Sequence, residues 1–358
     1  MPMVLSELNT QRARAGLLSN MFTYSMESRP KVLITGSLGL VGSEAVDFFK
    51  DKGWEVVGID NHKREDFFGL PYSEIYGRHN TYYAFDIRDE KQIDFIFQEH
   101  KFDVIIHTTA QPSHDYSKDH VLEDFDINAR GTLILLEATR KYCPEATFVF
   151  CSTDKVYGGN MKVETIEGEK RLDTIYKGFD EKLSIDHSIH SPFGCGKAAA
   201  DLYVQEYGYY FGMKTVCFRL GCITGRRHKG AELHGFLAYL VKCIKEEKPY
   251  KIFGFEGKQV RDQIHSYDLI NAFWHFIQNP KVAAVYNMGG GWERSVSILE
   301  AIEMIEKETG KKAIIEYNEP RKGDREWDIH DVSKFRKDYP EWDYKYSLED
   351  IIKDLCQS

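Results

Sequence analysis

A short apolar run, Val32-Leu33-Ile34-Thr35, leads directly into Gly36-Ser37-Leu38-Gly39-Leu40-Val41-Gly42, and the next segment, Ser43 to Phe49, carries apolar residues at helical spacing. A β-branched run, a glycine turn and a helical period read as strand, phosphate-binding turn and helix. The first glycine permits the tight turn, and the second lets backbone approach a pyrophosphate. The third lets the helix pack closely on the strand with its N–H groups aimed at the anion. Glycine pairs also mark ordinary turns, so context decides. A second apolar run, Glu55-Val56-Val57-Gly58-Ile59, ends in Asp60. A carboxylate at that strand end is an acceptor for the ribose hydroxyls of a bound dinucleotide.

The chain continues in the same rhythm. Strands are expected at Lys31–Thr35, Trp54–Ile59, Tyr82–Phe85, Phe102–His107, Ala146–Cys151 and Lys214–Arg219, with helical segments at Asp126–Arg140 and Gly194–Phe211. Alternation of this kind predicts an α/β fold, a doubly wound parallel sheet with right-handed crossovers. Beyond Thr224 the elements shorten. Helices are expected at Gly235–Glu246 and Ser295–Thr309, and strands at Tyr250–Phe255, Gln259–Ile264 and Tyr286–Gly289. The expected division is an N-terminal arm (1–29), a dinucleotide-binding Rossmann domain (30–224) and a smaller α/β substrate lobe (225–358), with 179–191 joining that lobe. A ligand held between the two is the natural consequence.

A net charge of −9 argues against broad binding to nucleic acid or anionic membranes. No apolar run approaches the ~18 residues of a membrane span. The seven cysteines are scattered with no Cys-x-x-Cys pair, which reads as reduced thiols in a cytoplasmic protein. His187 and His190 stand three apart without a third ligand at a recognised interval, so no metal is expected.

Three stretches carry chemistry. His107-Thr108-Thr109-Ala110-Gln111-Pro112-Ser113-His114-Asp115 follows the fourth strand, where small residues leave room in a crevice. His114 is expected on a loop there, either as a solvated histidine or over a reacting centre. The fifth strand ends in Cys151-Ser152-Thr153-Asp154-Lys155-Val156-Tyr157-Gly158, and Ser191-Pro192-Phe193-Gly194-Cys195-Gly196-Lys197 opens a helix. Together with the glycine turn and Asp60, these resemble the extended short-chain dehydrogenase/reductase family of nucleotide-sugar epimerases and dehydratases. Within it they are most similar to the CDP-hexose 2-epimerase branch, and the similarity runs from about Lys31 to near the C-terminus.

The resemblance implies NAD, held by Gly36, Gly39, Leu40, Val41, Gly42, Asp60, Asn61, Asp86, Ile87, Thr109, Ala110, Gln111, Asn128 and Lys197. Asp60 favours NAD over NADP, although Lys63 and Arg64 stand just beyond it. It also implies C2 epimerisation of a nucleotide-diphosphate sugar, CDP-linked, through a transient keto sugar with NAD recycled, in a homodimer. Thr153 matches the family's sugar-binding hydroxyl and Lys197 its lysine. The acid–base tyrosine position is Phe193, which has no proton to exchange. Three readings stay open: an introduced Tyr→Phe change, another acid–base group, of which His114 or Asp115 on the loop after the fourth strand are better placed than Cys195, or a non-catalytic NAD and nucleotide-sugar binding protein. Cys195 cannot substitute, since two residues along a helix it points roughly 200° away. A dehydratase or another epimerase on the same scaffold is the alternative activity. Lys155 counts against dehydratase, where an acidic residue is expected after Asp154. Arg261, Arg321 and Asp324 resemble the family's nucleotide-diphosphate ligands. Glu232 and His234 either line the sugar pocket or belong to a helix N-terminus.

Overall fold

The computed structural model describes residues 29–63, 77–230, 232, 235–320 and 324–357, so the expected arm, Arg64, His234 and Arg321 lie outside the described residues. Lys31–Ser358 forms one compact unit. Its centre is a seven-stranded sheet whose pairings are all parallel. Here β1 is Lys31–Thr35, β2 Glu55–Ile59, β3 Thr81–Tyr83, β4 Val104–His107 and β5 Thr147–Thr153. After two short strands, β6 (Ile166–Glu167) and β7 (Leu172–Asp173), come β8 (Thr215–Leu220), β9 (Cys222–Thr224), β10 (Pro249–Phe253), β11 (Val260–His265) and β12 (Ala284–Met288). The order across the sheet is β12-β8-β5-β4-β1-β2-β3. The winding reverses between β1 and β4, where Thr35 sits beside His107. That reversal opens a crevice at the carboxyl ends of the strands.

Alternation explains why both faces are covered. Val32, Ile34, Val56 and Ile106 point into one buried cluster, and Leu33, Val57 and Ile105 into the other. Helix α1 (Leu40–Asp51) packs Ala45, Val46, Phe48 and Phe49 onto the first face. On the second lie α2 (Glu90–Glu99) and, beyond α3 (His114–Asp119) and α4 (Val121–Phe125), the helices α5 (Gly131–Tyr142) and α6 (Ser191–Phe211). A strand buried on both faces reads as a continuous apolar run, which is the pattern of β1 and β4.

Several expected boundaries move. His114 is not on a loop: it opens α3, because the Ser113 hydroxyl caps the turn by accepting the Tyr116 N–H at 3.2 Å. Helix α6 starts at Ser191, with Pro192 in its first turn, where a missing N–H costs nothing. The expected helix from Ser295 begins instead with a strand, β13 (Ser295–Ser297). The following helix Ile298–Thr309 is started by a capping box between Ser297 and Glu300. Residues 225–358 also do not form one separate lobe, since β12 completes the large sheet and Ser266–Gln278 packs on α1 through Phe48 and Trp274. The rest makes two small sheets. One pairs β10 with β14 (Ile314–Asn318), and the other joins β11 to β9, β13 and β15 (Trp327–Asp328). Phe179 bridges to His330 and packs on Trp327, tying the 179–191 stretch to this second sheet.

Candidate active site

The glycine turn lies at the winding reversal. A Cβ on Gly36 would meet the Thr109 nitrogen at 2.8 Å, and one on Gly42 the Gly36 carbonyl oxygen at 2.1 Å. Turn, helix and the β4 edge therefore touch through backbone, which only glycine permits here. No side chain caps the N-terminus of α1, and no acidic residue occupies its first turn. The N–H groups of Leu40, Val41 and Gly42 belong to that open first turn, a donor set suited to a pyrophosphate. Asp60 is fixed at the end of β2: its carboxylate accepts the Leu38 N–H at 3.1 Å and the His62 N–H at 3.0 Å. Asn61 donates to Asp86 at 2.9 Å. Burial alone would raise the Asp86 pKa, but the Arg88 guanidinium and Asn61 hold it down to about 2. Ile87 is buried beside Gly131. The carboxylate chemistry of Asp60 fits a dinucleotide with unphosphorylated ribose.

The floor beyond β4 is a network of buried amides. Asn128 accepts the Gln111 N–H at 3.1 Å and donates to the Gln111 carbonyl at 3.0 Å. Both side chains also donate to Asp124, at 3.1 and 2.8 Å. Asn128 lies in a π-turn, Asp126–Arg130, that interrupts the helix between α4 and α5. Such bulges re-aim side chains and favour functional sites. His107 is buried between Thr35 (2.7 Å) and Thr132 (2.9 Å), and desolvation followed by the charge of Lys197 pushes its pKa well down.

Lys197 is buried on α6. Its ammonium donates to the Cys151 carbonyl at 2.6 Å and lies 4.1 Å over the Phe150 ring. Desolvation lowers its pKa to about 8, only partly opposed by surrounding acidic groups. One turn earlier Phe193 is 6% exposed and meets the His114 ring edge-on at 4.8 Å. His114 is exposed, and its Nδ1 lies 3.0 Å from Ser191 Oγ. Desolvation, then the charge of Lys155, brings its pKa to about 4, so the imidazole is neutral at neutral pH. Thr153 caps the turn after β5, accepting the Lys155 N–H at 3.3 Å and donating to Asp154 at 3.0 Å.

Opposite stands a charge cluster that sequence reading missed. Arg325 reaches Asp154 (2.6 Å) and Asp328 (2.7 Å), and Lys155 reaches the same two carboxylates at 2.8 and 3.5 Å. Asp154, Asp328 and His330 lie close enough to share an ion, yet the two cations already neutralise the carboxylates. Burial would raise the Asp154 pKa, but Lys155 and Arg325 hold it well below the usual range. Only the spacing Asp154-Lys155 hinted at this cluster, because its partners lie far along the chain. Arg261 and Asp324 meet at 2.8 Å, and Arg261 also donates to the Arg325 carbonyl at 2.6 Å. Glu232 is exposed and paired with Lys251 at 3.0 Å.

Residues 32–289 match the NAD dependent epimerase/dehydratase family, and the chain belongs to it. It is 30% identical to CDP-paratose 2-epimerase of Salmonella typhi, over 91% of this chain and 98% of the relative. It is 28% identical to UDP-glucuronate 4-epimerase of Thermodesulfobacterium geofontis, over 90% and 93%. Among solved structures, UDP-glucose 4-epimerase of Thermotoga maritima with UDP-glucose superposes with a TM-score of 0.78 at 28% identity, covering 91% of this chain and 97% of that one. The NAD complex of UDP-glucose 4-epimerase from Thermus thermophilus gives 0.75 at 26%, covering 91% and 98%. NAD is thus the family's cofactor, and the donor set at Gly36–Gly42 and Asp60 fits it.

Proposed function

We propose that the protein epimerises C2 of a CDP-hexose, with His114 taking the place of the tyrosine that Phe193 lacks. The observation that carries this is the contact between a neutral, solvent-reaching His114 and the Phe193 ring, 4.8 Å apart at the opening of α6. The glycine turn, Asp60, Asn128 and Lys197 would hold NAD, which would supply a reversible hydride acceptor regenerated in each cycle. Thr153 offers the sugar oxygen a hydroxyl, and His114 accepts the hydroxyl proton and later returns it. Lys197 presents a positive charge that favours the oxyanion. Arg261, with Asp324 and Arg321, recognises the diphosphate and ribose. Dehydration is disfavoured because Asp154 is held ionised by Lys155 and Arg325 and has no proton to give a leaving hydroxyl. Identity of 30% to the CDP-paratose 2-epimerase of Salmonella typhi supports the CDP and C2 assignments.

In this reading the substrate lobe comprises the two small sheets around β10 and β11 together with the 179–191 stretch. Exposed Leu202, Tyr203, Tyr209 and Tyr210 on α6, with exposed Leu122 and Phe125 on α4, support pairing of two copies along these helices. Free, separated cysteines support a reducing compartment such as the cytoplasm. The test is incubation with CDP- and UDP-hexoses, followed by sugar NMR and absorbance at the reduced-nicotinamide band. C2 inversion is expected, and a 4-keto or dehydrated product would sink the reading. His114→Ala should lower kcat roughly 10²–10⁴-fold with NAD binding intact. If neither the protein nor Phe193→Tyr turns over any nucleotide sugar while both bind NAD, a non-catalytic binding role replaces the proposal.

A further inference from the structure

We infer that Ser191 is a positioning residue that fixes the tautomer and aim of His114. The inference rests on the reading of His114 as the proton acceptor. Ser191 adopts φ +67°, the left-handed region that a side chain other than glycine or asparagine enters only where its surroundings over-determine it. Those surroundings are on both sides. The His190 imidazole is clamped between the carbonyls of Val156 and Ser188 at 2.8 Å each, and Pro192 follows directly. Strain of this kind in a residue touching a reacting group is a mark of a functional position.

The hydroxyl is held as tightly as the backbone. Ser191 Oγ accepts the Gly194 N–H at 3.3 Å and lies 3.0 Å from His114 Nδ1. The hydroxyl can donate or accept at Nδ1; in the inferred arrangement Oγ accepts Nδ1–H beside the Gly194 N–H, which leaves the lone pair of the neutral imidazole on Nε2. Nε2 has no hydrogen-bond partner among the described residues. A hydrogen bond at one ring nitrogen selects which form the other takes. The sugar hydroxyl's O–H bond breaks as an Nε2–H bond forms, and the proton goes back when the carbon is reduced from its other face. No net proton is consumed. The dock between α3 and α6 does not depend on this contact alone, because Ser117 Oγ accepts the Phe193 N–H at 3.3 Å. The Ser191 hydroxyl can therefore be removed while the two helices stay in place.

The charged groups facing His114 are Lys155 and Asp154 from the turn after β5, Arg325 from the C-terminal segment and Asp115 on its own helix. None of them bonds Nδ1, so among the described residues Ser191 is the hydrogen-bond partner of that nitrogen. The experiment compares the full-length protein with Ser191→Ala and Ser191→Gly. Ring ¹⁵N NMR of His114 should show a single Nδ1–H tautomer in the parent and a mixture in both variants. kcat should fall about 10–100-fold, the scale of losing an orienting partner, with KM for the nucleotide sugar unchanged and the acid limb of the pH profile displaced. Gly relieves the backbone, so recovery of activity in Ser191→Gly would assign the effect to strain and overturn the inference. An unchanged tautomer in Ser191→Ala would overturn it too. If the parent turns over no nucleotide sugar, the epimerase reading fails, but the NMR comparison still decides the role of Ser191.

Discussion

Two buried cations flank the cleft, and they respond to burial in opposite ways. Lys197 sits among Cys151, Phe150 and the apolar start of α6, with a carbonyl as its hydrogen-bond acceptor, and its pKa falls to about 8. His330 is as deeply buried but bonds Asp262 at 3.0 Å within reach of Asp328 and Asp154. There the attraction overcomes the desolvation that opposes it, and its pKa rises to about 9. Burial penalises charge in both places, and the supply of counter-charge decides the outcome. The Lys197 side is kept short of partners, so its positive charge is only partly compensated. The side holding Asp154, Asp328, Arg325 and His330 is internally neutralised, so it holds shape.

The largest effect expected from breaking this contrast is at Arg325. Arg325→Ala leaves Asp154 and Asp328 buried with one fewer cation, and denaturant unfolding should show a loss of about 3–5 kcal/mol. On the other side, Lys197→Met removes an inadequately compensated charge. The cofactor-free variant should gain about 3 kcal/mol at pH 7, from a shift of that size at 1.36 kcal/mol per unit, while turnover is lost. Equal or lower stability would mean that the ammonium is better solvated than its surroundings indicate.

The pH dependence sharpens the comparison. Lys197 has a folded pKa below its unfolded one, so between about 8 and 10.5 the unfolded chain holds the extra proton and stability rises with pH. His330 has a folded pKa above its unfolded one. Its contribution is complete below pH 6.5 and is lost as pH rises through about 9. Measured in a Lys197→Met background to remove the opposing slope, unfolding free energy should fall by roughly 1–3 kcal/mol over that window. His330→Gln should flatten it. The smallest effect is local: Ser113→Ala removes the cap of the turn that carries His114, costing about 1 kcal/mol. It should lower kcat more than it lowers the midpoint of unfolding.

The part of the site nearest the glycine turn was the most legible in the sequence. Gly36, Gly39, Gly42 and Asp60 are close together along the chain, and their spacing is dictated by one strand–turn–helix unit and the strand after it. Thr153, Phe193 and Lys197 became candidates only through the family resemblance, which matches the end of β5 and the start of α6 residue by residue. The helix that carries His114 leaves no periodic signal in the sequence, because six residues make too short a period to recognise. Arg325, Asp328 and His330 carried no local signal at all.

The parallel sheet, the dinucleotide turn and the absence of a hydroxyl at Phe193 are written locally along the chain, because period, glycine placement and residue identity are local properties. Which charges meet depends on how distant parts of the chain pack together. Asp154 and Arg325 stand 171 positions apart and His114 and Ser191 stand 77 apart. A Coulomb interaction or a hydrogen bond depends on distance through space, which no local spacing encodes. The same holds for β12, whose place in the large sheet follows from burial of Tyr286 and Met288 against the first core and not from its position along the chain.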